Sequence, residues 1–286
     1  MMNLSKRRWL ASTTVAMAAI LCGGLSTVPA PAQTAPDELV AHRAVYELKL
    51  ASTRGKSAVA ARGRILYDFT GSACEGYKLE FRQVSELDNG EGKQTLSDLR
   101  STTWEDAPAK NYKFNSQNYL NQRLVDTVDG AAERQSGWIA VMLTKPKDKK
   151  VSLDATIVFP TEHVRRIIEA AREGKSILEF PVFDGSETGE KVYNTLTVIG
   201  REIAADQKMP TDAAAGQKAL AGMKRWPVTV SYFDKAKSGG EQTPVYAIGF
   251  ELYENGISRA LMLDYNDFSI SGELKTLEIK DSKPCP

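Results

Sequence analysis

Tyr77-Lys78-Leu79-Glu80-Phe81-Arg82 is the stretch on which the fold turns. Apolar and charged residues alternate strictly, and successive side chains of an extended chain point to opposite sides, so this is a strand with one dry and one wet face. Tyr46-Glu47-Leu48-Lys49-Leu50 has the same pattern upstream, and residues 63–69, 93–104, 110–118 and 122–128 continue it less cleanly. Asp88-Asn89-Gly90 and Asp129-Gly130 read as turns between these stretches, because Asn, Asp and Gly tolerate the positive φ of tight hairpins.

Only one stretch has a strong helical period. In Thr161-Glu162-His163-Val164-Arg165-Arg166-Ile167-Ile168-Glu169-Ala170-Ala171-Arg172-Glu173-Gly174, the residues Val164, Ile167, Ile168 and Ala171 make one apolar stripe. A helix over 161–173 is predicted, with Thr161 as its N-terminal cap and Gly174 closing it. Strands resume at 176–183, 192–199, 226–233, 245–253, 257–265 and 268–279, with turns at Asp184-Gly185 and Asn255-Gly256. Residues 204–223 break this texture as an Ala-rich excursion containing Pro210, with a short helix expected over 213–223. No strand-helix-strand alternation calls for a parallel sheet. The reading is an all-β, mainly antiparallel fold of about a dozen strands around one amphipathic helix, with residues 39–286 forming a single domain.

The whole sequence has 286 residues, 37 basic against 36 acidic groups, 42% hydrophobic residues and three cysteines. That balance argues against a nucleic-acid binder. Lys6, Arg7 and Arg8 precede an uncharged run from Trp9 to Leu25, and Ala30-Pro31-Ala32 offers a small-x-small cleavage site, so residues 1–32 read as a secretory signal peptide. Cys22 follows Ala19-Ile20-Leu21, which is not the pattern of a lipid-bearing cysteine. Removing 1–32 leaves 254 residues, 34 basic against 36 acidic groups and two cysteines, with 33–38 as a flexible tail. Two cysteines in an exported chain predict one disulfide, Cys74 to Cys285, and a periplasmic location.

The search for chemistry finds little. His42 and His163 are the only histidines, and neither sits in a His-Glu-x-x-His zinc pattern. No Gly-x-Ser-x-Gly turn presents a nucleophile. Gly55-Lys56-Ser57 and Gly174-Lys175-Ser176 lack the upstream glycine of a phosphate loop, since Leu50 and Glu169 stand in its place. The most distinctive polar run is Asp264-Tyr265-Asn266-Asp267, whose two acids, joined by His42, make the alternative reading: an envelope hydrolase. The main expectation is that there is no enzyme, no catalytic residue, no metal and no cofactor.

His42-Arg43-Ala44-Val45-Tyr46, Cys74-Glu75-Gly76-Tyr77, Trp226-Pro227-Val228 with Ser231-Tyr232-Phe233, and the runs 249–256 and 264–268 resemble the EipB-type family of periplasmic envelope-integrity proteins, from about Leu39 to Cys285. The resemblance implies an antiparallel β-spiral wrapped round a helix, like the half-open folds of lipoprotein carriers, and a bridge between Cys74 and Cys285. It also implies a role in keeping a Gram-negative envelope intact under stress. The ligand expected from it is a lipid, lipoprotein or peptide in a concave β surface; a helical-repeat (TPR-type) periplasmic protein is a further expected partner, and the protein itself is expected to be a monomer.

Overall fold

The structure, a computed structural model, describes residues 38–55, 58–92, 94–207, 210–234 and 243–282. The expected signal peptide, Cys285 and all but the last residue of the expected tail lie outside these residues. Fourteen strands follow in chain order: β1 (His42–Thr53), β2 (Ala60–Ser72), β3 (Gly76–Asp88), β4 (Gln94–Glu105), β5 (Asn111–Leu120), β6 (Arg123–Arg134), β7 (Trp138–Lys145), β8 (Lys149–Asp154), β9 (Ile177–Val182), β10 (Tyr193–Ile199), β11 (Arg225–Asp234), β12 (Tyr246–Tyr253), β13 (Ser258–Tyr265) and β14 (Phe268–Ile279). All belong to one antiparallel sheet in the order β8-β7-β6-β5-β4-β3-β2-β1-β14-β13-β12-β11-β10-β9. Apart from β1 against β14, every ladder is between sequence neighbours, so each meander half grows outward from that central seam.

The two edges, β8 and β9, do not pair with each other. The chain leaving β8 instead makes one parallel bridge, in which the Val158 N–H donates to the Pro181 carbonyl at 2.9 Å and the Phe183 N–H donates to the Val158 carbonyl at 3.0 Å. It then forms α1 (Pro160–Arg172). A helix of 13 residues is marginal alone and takes its stability from packing. Ile167, Ile168, Ala170 and Ala171 are buried against Phe69, Tyr77, Ile199, Trp226, Val228 and Leu252. Most of these partners lie at one end of their strands, next to the turns Ser72–Gly76 and Tyr253–Ser258, so α1 closes that end of the spiral. Burying Ile167 and Ile168 gains ~1.5–3 kcal/mol each, which outweighs the ~0.5–1 kcal/mol of side-chain entropy each loses.

The start of α1 differs from the sequence expectation. Phe159, not Thr161, is the residue at the cap position, and Pro160 is the first helical residue. Proline suits that place because its missing N–H is not needed there. The free amides of the first turn are met from a distance: the Glu105 carboxylate, at the end of β4, accepts the Thr161 N–H at 2.7 Å and the Glu162 N–H at 2.8 Å. Burial is the larger influence on Glu105 and pushes its carboxyl up to about 7, against the lowering effect of those amides. Glu162 in turn pairs with Arg134 and Arg166, and Arg134 also donates to the carbonyls of Ala109, Ala155 and Ile157.

Three further expectations are corrected. β7 and β8 were not anticipated. Asp129-Gly130 is not a turn but lies within β6, opposite Lys145 and Leu143. Gly130 is there for space: a Cβ would stand 2.7 Å from the Phe114 ring and 2.8 Å from the Met142 carbonyl oxygen. The helix expected over 213–223 is instead two 3-10 turns, Ala213–Gly216 and Lys218–Leu220. They bring Ala214 and Leu220 into a cluster with Ala44, Tyr46, Leu48, Tyr253 and Leu277, so the excursion completes a core.

Two measurements check this description. Gly130→Ala should cost ~1–3 kcal/mol by urea unfolding through overpacking, while Gly216→Ala, where a Cβ meets nothing within 4 Å, should stay within ~0.5 kcal/mol of wild type. For Glu105, a raised carboxyl pKa means a stability contribution present below its unfolded value of 4.5 and lost as pH rises toward about 7. The unfolding free energy of wild type relative to Glu105→Gln should therefore fall across that window and be level outside it; parallel profiles would contradict the assignment.

Candidate functional site

The end of the spiral opposite α1 carries the turns joining β1 to β2, β3 to β4, β5 to β6 and β13 to β14. Here the inner face is not sealed. Ile248, Tyr265 and Phe268 pack against a core cluster yet remain only half-buried, as do Tyr67, Phe81 and Phe250 further toward α1. Leu120, Leu124 and Val125, at the β5 to β6 turn, are exposed at the rim.

Beneath this opening the segment between β9 and β10 folds inward. Phe183 is fully buried against Tyr112 and Phe114, with ring centroids 6.3 and 5.5 Å away, and the Tyr112 hydroxyl donates to the Asp184 carbonyl at 2.9 Å. A Cβ on Gly185 would stand 2.4 Å from the Phe114 ring, and φ at Gly185 is +69°, so glycine is demanded twice over. Beside this segment, Tyr193, Tyr232 and Tyr246 form an aromatic group with Tyr232 and Tyr246 stacked at 4.4 Å.

The tyrosine hydroxyls separate into two kinds. Tyr46 donates to the Ser258 carbonyl at 2.8 Å, and burial raises its hydroxyl pKa to about 12. Tyr67, Tyr232 and Tyr246 are raised as well, first by burial, but no hydrogen bond to a described residue offsets it. Their side chains are half-buried on the inner side of the sheet. Buried tyrosine hydroxyls ordinarily find a partner. The inner side of the open end is therefore a candidate chamber, a lining of aromatic rings in which the Tyr232 and Tyr246 hydroxyls have no hydrogen bond to a described residue.

His42 and the two acids of the hydrolase alternative do not meet. His42 stands opposite Ile279 at one end of β1, whereas Asp264 stands opposite Ser269, which itself pairs with Ser52. Ten residues along a strand is roughly 33 Å. His42 is buried, its Nδ1 is 2.7 Å from the Val40 carbonyl, and it stacks on Tyr67; burial lowers its pKa. Asp264 pairs with Arg54, and the Asp267 carbonyl accepts the Arg54 N–H, so both acids serve the local turn. His163 is buried in the first turn of α1 against Phe180, and burial lowers it to about 4. Cys74 lies in the turn between β2 and β3, with its N–H donating to Ser72 Oγ at 3.3 Å, while Cys285 lies outside the described residues.

A second hollow, of about 510 Å³, lies on the outer face, lined by Trp104, Lys113, Asp129, Ala131 and Met142. Lys113 already sits over the Trp104 ring, Lys78 pairs with Glu80, and Asp129 is held by Asn115 and Thr144, so the charged groups of its lining are already engaged. The inner face around Tyr232 and Tyr246 is the better candidate, because its hydroxyls have no hydrogen bond to a described residue. The alternation of Val228, Val230 and Tyr232 marks the inner face but does not reveal which hydroxyl lacks a partner.

Comparison with known proteins agrees with this architecture. Residues 33–281 match the family described as EipB-like. The cell envelope integrity protein EipB of Brucella abortus (strain 2308) is 39% identical over 245 residues, covering 85% of this chain and 85% of the relative. The crystal structure of a beta-barrel-like protein of a domain of unknown function, also from Brucella abortus, superposes with a TM-score of 0.77 at 37% identity, covering 85% of this chain and 99% of the other.

The two kinds of hydroxyl make a direct test. Tyr46→Phe removes a hydrogen bond from a half-buried carbonyl and should cost ~1 kcal/mol, whereas Tyr246→Phe removes a hydroxyl without a partner among the described residues and should be neutral within ~0.5 kcal/mol. Equal costs in urea unfolding would mean that the Tyr246 hydroxyl is bonded to protein.

Proposed function

This chain belongs to the EipB-like family, and we propose that it is a non-enzymatic periplasmic protein supporting the integrity of a Gram-negative cell envelope. Its Brucella relative's name, cell envelope integrity protein, supports the role. The charged, apolar and small-residue zones of residues 1–32 support export to the periplasm. The protein works by holding a lipid, a lipoprotein or a peptide segment in the chamber. The observation that carries this reading is the stacked pair Tyr232 and Tyr246 on the inner side of the open end, whose hydroxyls no described residue meets. Aromatic walls with a few polar tips are the usual lining of a small-ligand site. The separation of His42 from Asp264 supports the absence of hydrolase chemistry.

A disulfide between Cys74 and Cys285 belongs to the same reading. Ile279 and Phe69 both stand opposite His42, on its two flanking strands, roughly 10 Å apart, and Lys280 pairs with Asp68. The five residues from Lys280 to Cys285 span up to about 17 Å when extended, enough to reach the β2 to β3 turn. Closing a loop of about 210 residues stabilises by roughly 5 kcal/mol at most on the chain-entropy model. The protein acts as a monomer, with a helical-repeat periplasmic protein as a second partner.

Native mass spectrometry and lipid extraction of protein purified from the periplasm should find a bound amphiphile; a clean apoprotein that also takes up no lipopeptide would overturn the carrier reading. Cys285→Ser should lower the melting temperature by several degrees, at roughly 2–4 °C per kcal/mol, and unchanged melting under reducing conditions would contradict the bridge. Crosslinked pull-down tests the helical-repeat partner.

A further inference from the structure

The hollow on the outer face owes its shape to a β-bulge. β6 and β7 fall out of step at Asp129, which stands opposite Lys145 while Gly130 stands opposite Leu143, so Thr144 is an extra residue with no counterpart on β6. A bulge re-aims the side chain it carries, and here the Thr144 hydroxyl donates to Asp129 Oδ1 at 2.6 Å. Asn115, opposite Asp129 on β5, donates to the other carboxylate oxygen at 2.5 Å. The next cross-strand row is Trp104, Lys113, Ala131 and Met142. Ala131 puts only a methyl group between larger side chains, and the space of about 510 Å³ above it is open on its outer side. That size falls within the roughly 300–1,000 Å³ of small-ligand sites.

The lining discriminates between classes of ligand. A lipid chain gains in proportion to the area removed from water, and a hollow open on one side leaves much of the chain wet. An anion would gain Lys113 but meet the Asp129 carboxylate, which the Thr144 and Asn115 hydrogen bonds hold below the usual range. A cation would gain Asp129 but meet the ammonium groups of Lys113 and Lys78. An uncharged sugar ring avoids both conflicts. Its C–H face, slightly positive at the hydrogens, suits an aromatic and a thioether surface. Its hydroxyls both donate and accept, and the lining presents both kinds of partner. The Asp129 oxygens receive one side-chain bond each from Asn115 and Thr144, whereas a carboxylate has about four acceptor sites. The Lys113 ammonium, 5.4 Å from the Trp104 ring centroid, makes no ion pair among the described residues, and Thr102 is exposed at the edge. Groups already held by their neighbours lose little further freedom when a hydroxyl joins them.

We propose that the outer hollow is a second binding site, separate from the inner face, and that it takes an uncharged sugar of a glycan chain. The ring lies over Ala131, between Trp104 and Met142, with its hydroxyls on Asp129, Asn115 and Lys113. Because the hollow is open outward, the chain on either side of that sugar can continue across the sheet.

The test uses the full mature protein labelled with nitrogen-15 and a set of trisaccharides: cellotriose and tri-N-acetylchitotriose as the neutral probes, trigalacturonate as the anionic one and the glucosamine trimer as the cationic one. In an NMR titration at least one neutral trisaccharide should move the Trp104 indole N–H and the Asn115 side-chain amide, and should bind at least tenfold more tightly than either charged one. A charged trisaccharide that binds as tightly or more tightly would overturn the choice of an uncharged sugar. No binding of either neutral probe, or binding that leaves both signals in place, would overturn the site. Ala131→Phe fills the floor and should weaken binding at least tenfold, with unshifted Trp138 and Trp226 indole signals confirming the fold. Trp104→Ala serves if Ala131→Phe does not fold, and undiminished binding in a folded variant would overturn the placement of the sugar. Ligand retention at the inner face is measured separately, so the failure of one site leaves the other standing.

Discussion

A helix laid across the end of a sheet has to satisfy its first amides away from water, and Glu105 does this for α1. The rest of the architecture follows from that placement. With its N-terminus held by β4 and by the Arg134 to Glu162 pair from β6, the helix is fixed over one end of the spiral, and its apolar stripe seals Phe69, Tyr77, Trp226 and Leu252. The opposite end has no such plug. The asymmetry between a sealed end and an open one is what makes a chamber out of an otherwise continuous sheet.

That arrangement also explains how charge is distributed. Ion pairs of Glu162 sit at the sealed end, and those of Asp98 sit on the outer face. The central seam between β1 and β14 is tied by Asp68, whose carboxyl burial would push up but which Lys280 and Arg43 hold below the usual range. On the inner side near the opening, the charge is confined to the Glu187 and Lys191 pair, which holds the Tyr193 hydroxyl and ring beside Tyr232 and Tyr246.

Much of this was legible in the residues, because alternation at Tyr46 to Leu50 and Tyr77 to Arg82 depends only on one face being dry. β7 escaped notice because its outward residues Trp138 and Met142 are also apolar and exposed, which hides the period of two that Ile139, Val141 and Leu143 keep on the inside. Asp129-Gly130 has turn chemistry, but tertiary crowding by Phe114 decides its place. Glu105 is silent in sequence: it ends a strand among ordinary polar residues, and the amides it accepts lie 56 and 57 residues further on. The hydrolase grouping failed for the reverse reason, since residue types that belong together chemically were set at opposite ends of β1.

The central claim is that the open end holds a space whose polar tips are met by something other than protein. A high-resolution crystal structure of protein purified directly from the periplasm tests this most directly. The account predicts non-protein density, ordered water or a bound amphiphile, within hydrogen-bonding distance of the Tyr232 and Tyr246 hydroxyls. Side chains closing the space, with both hydroxyls bonded to protein groups, would contradict it.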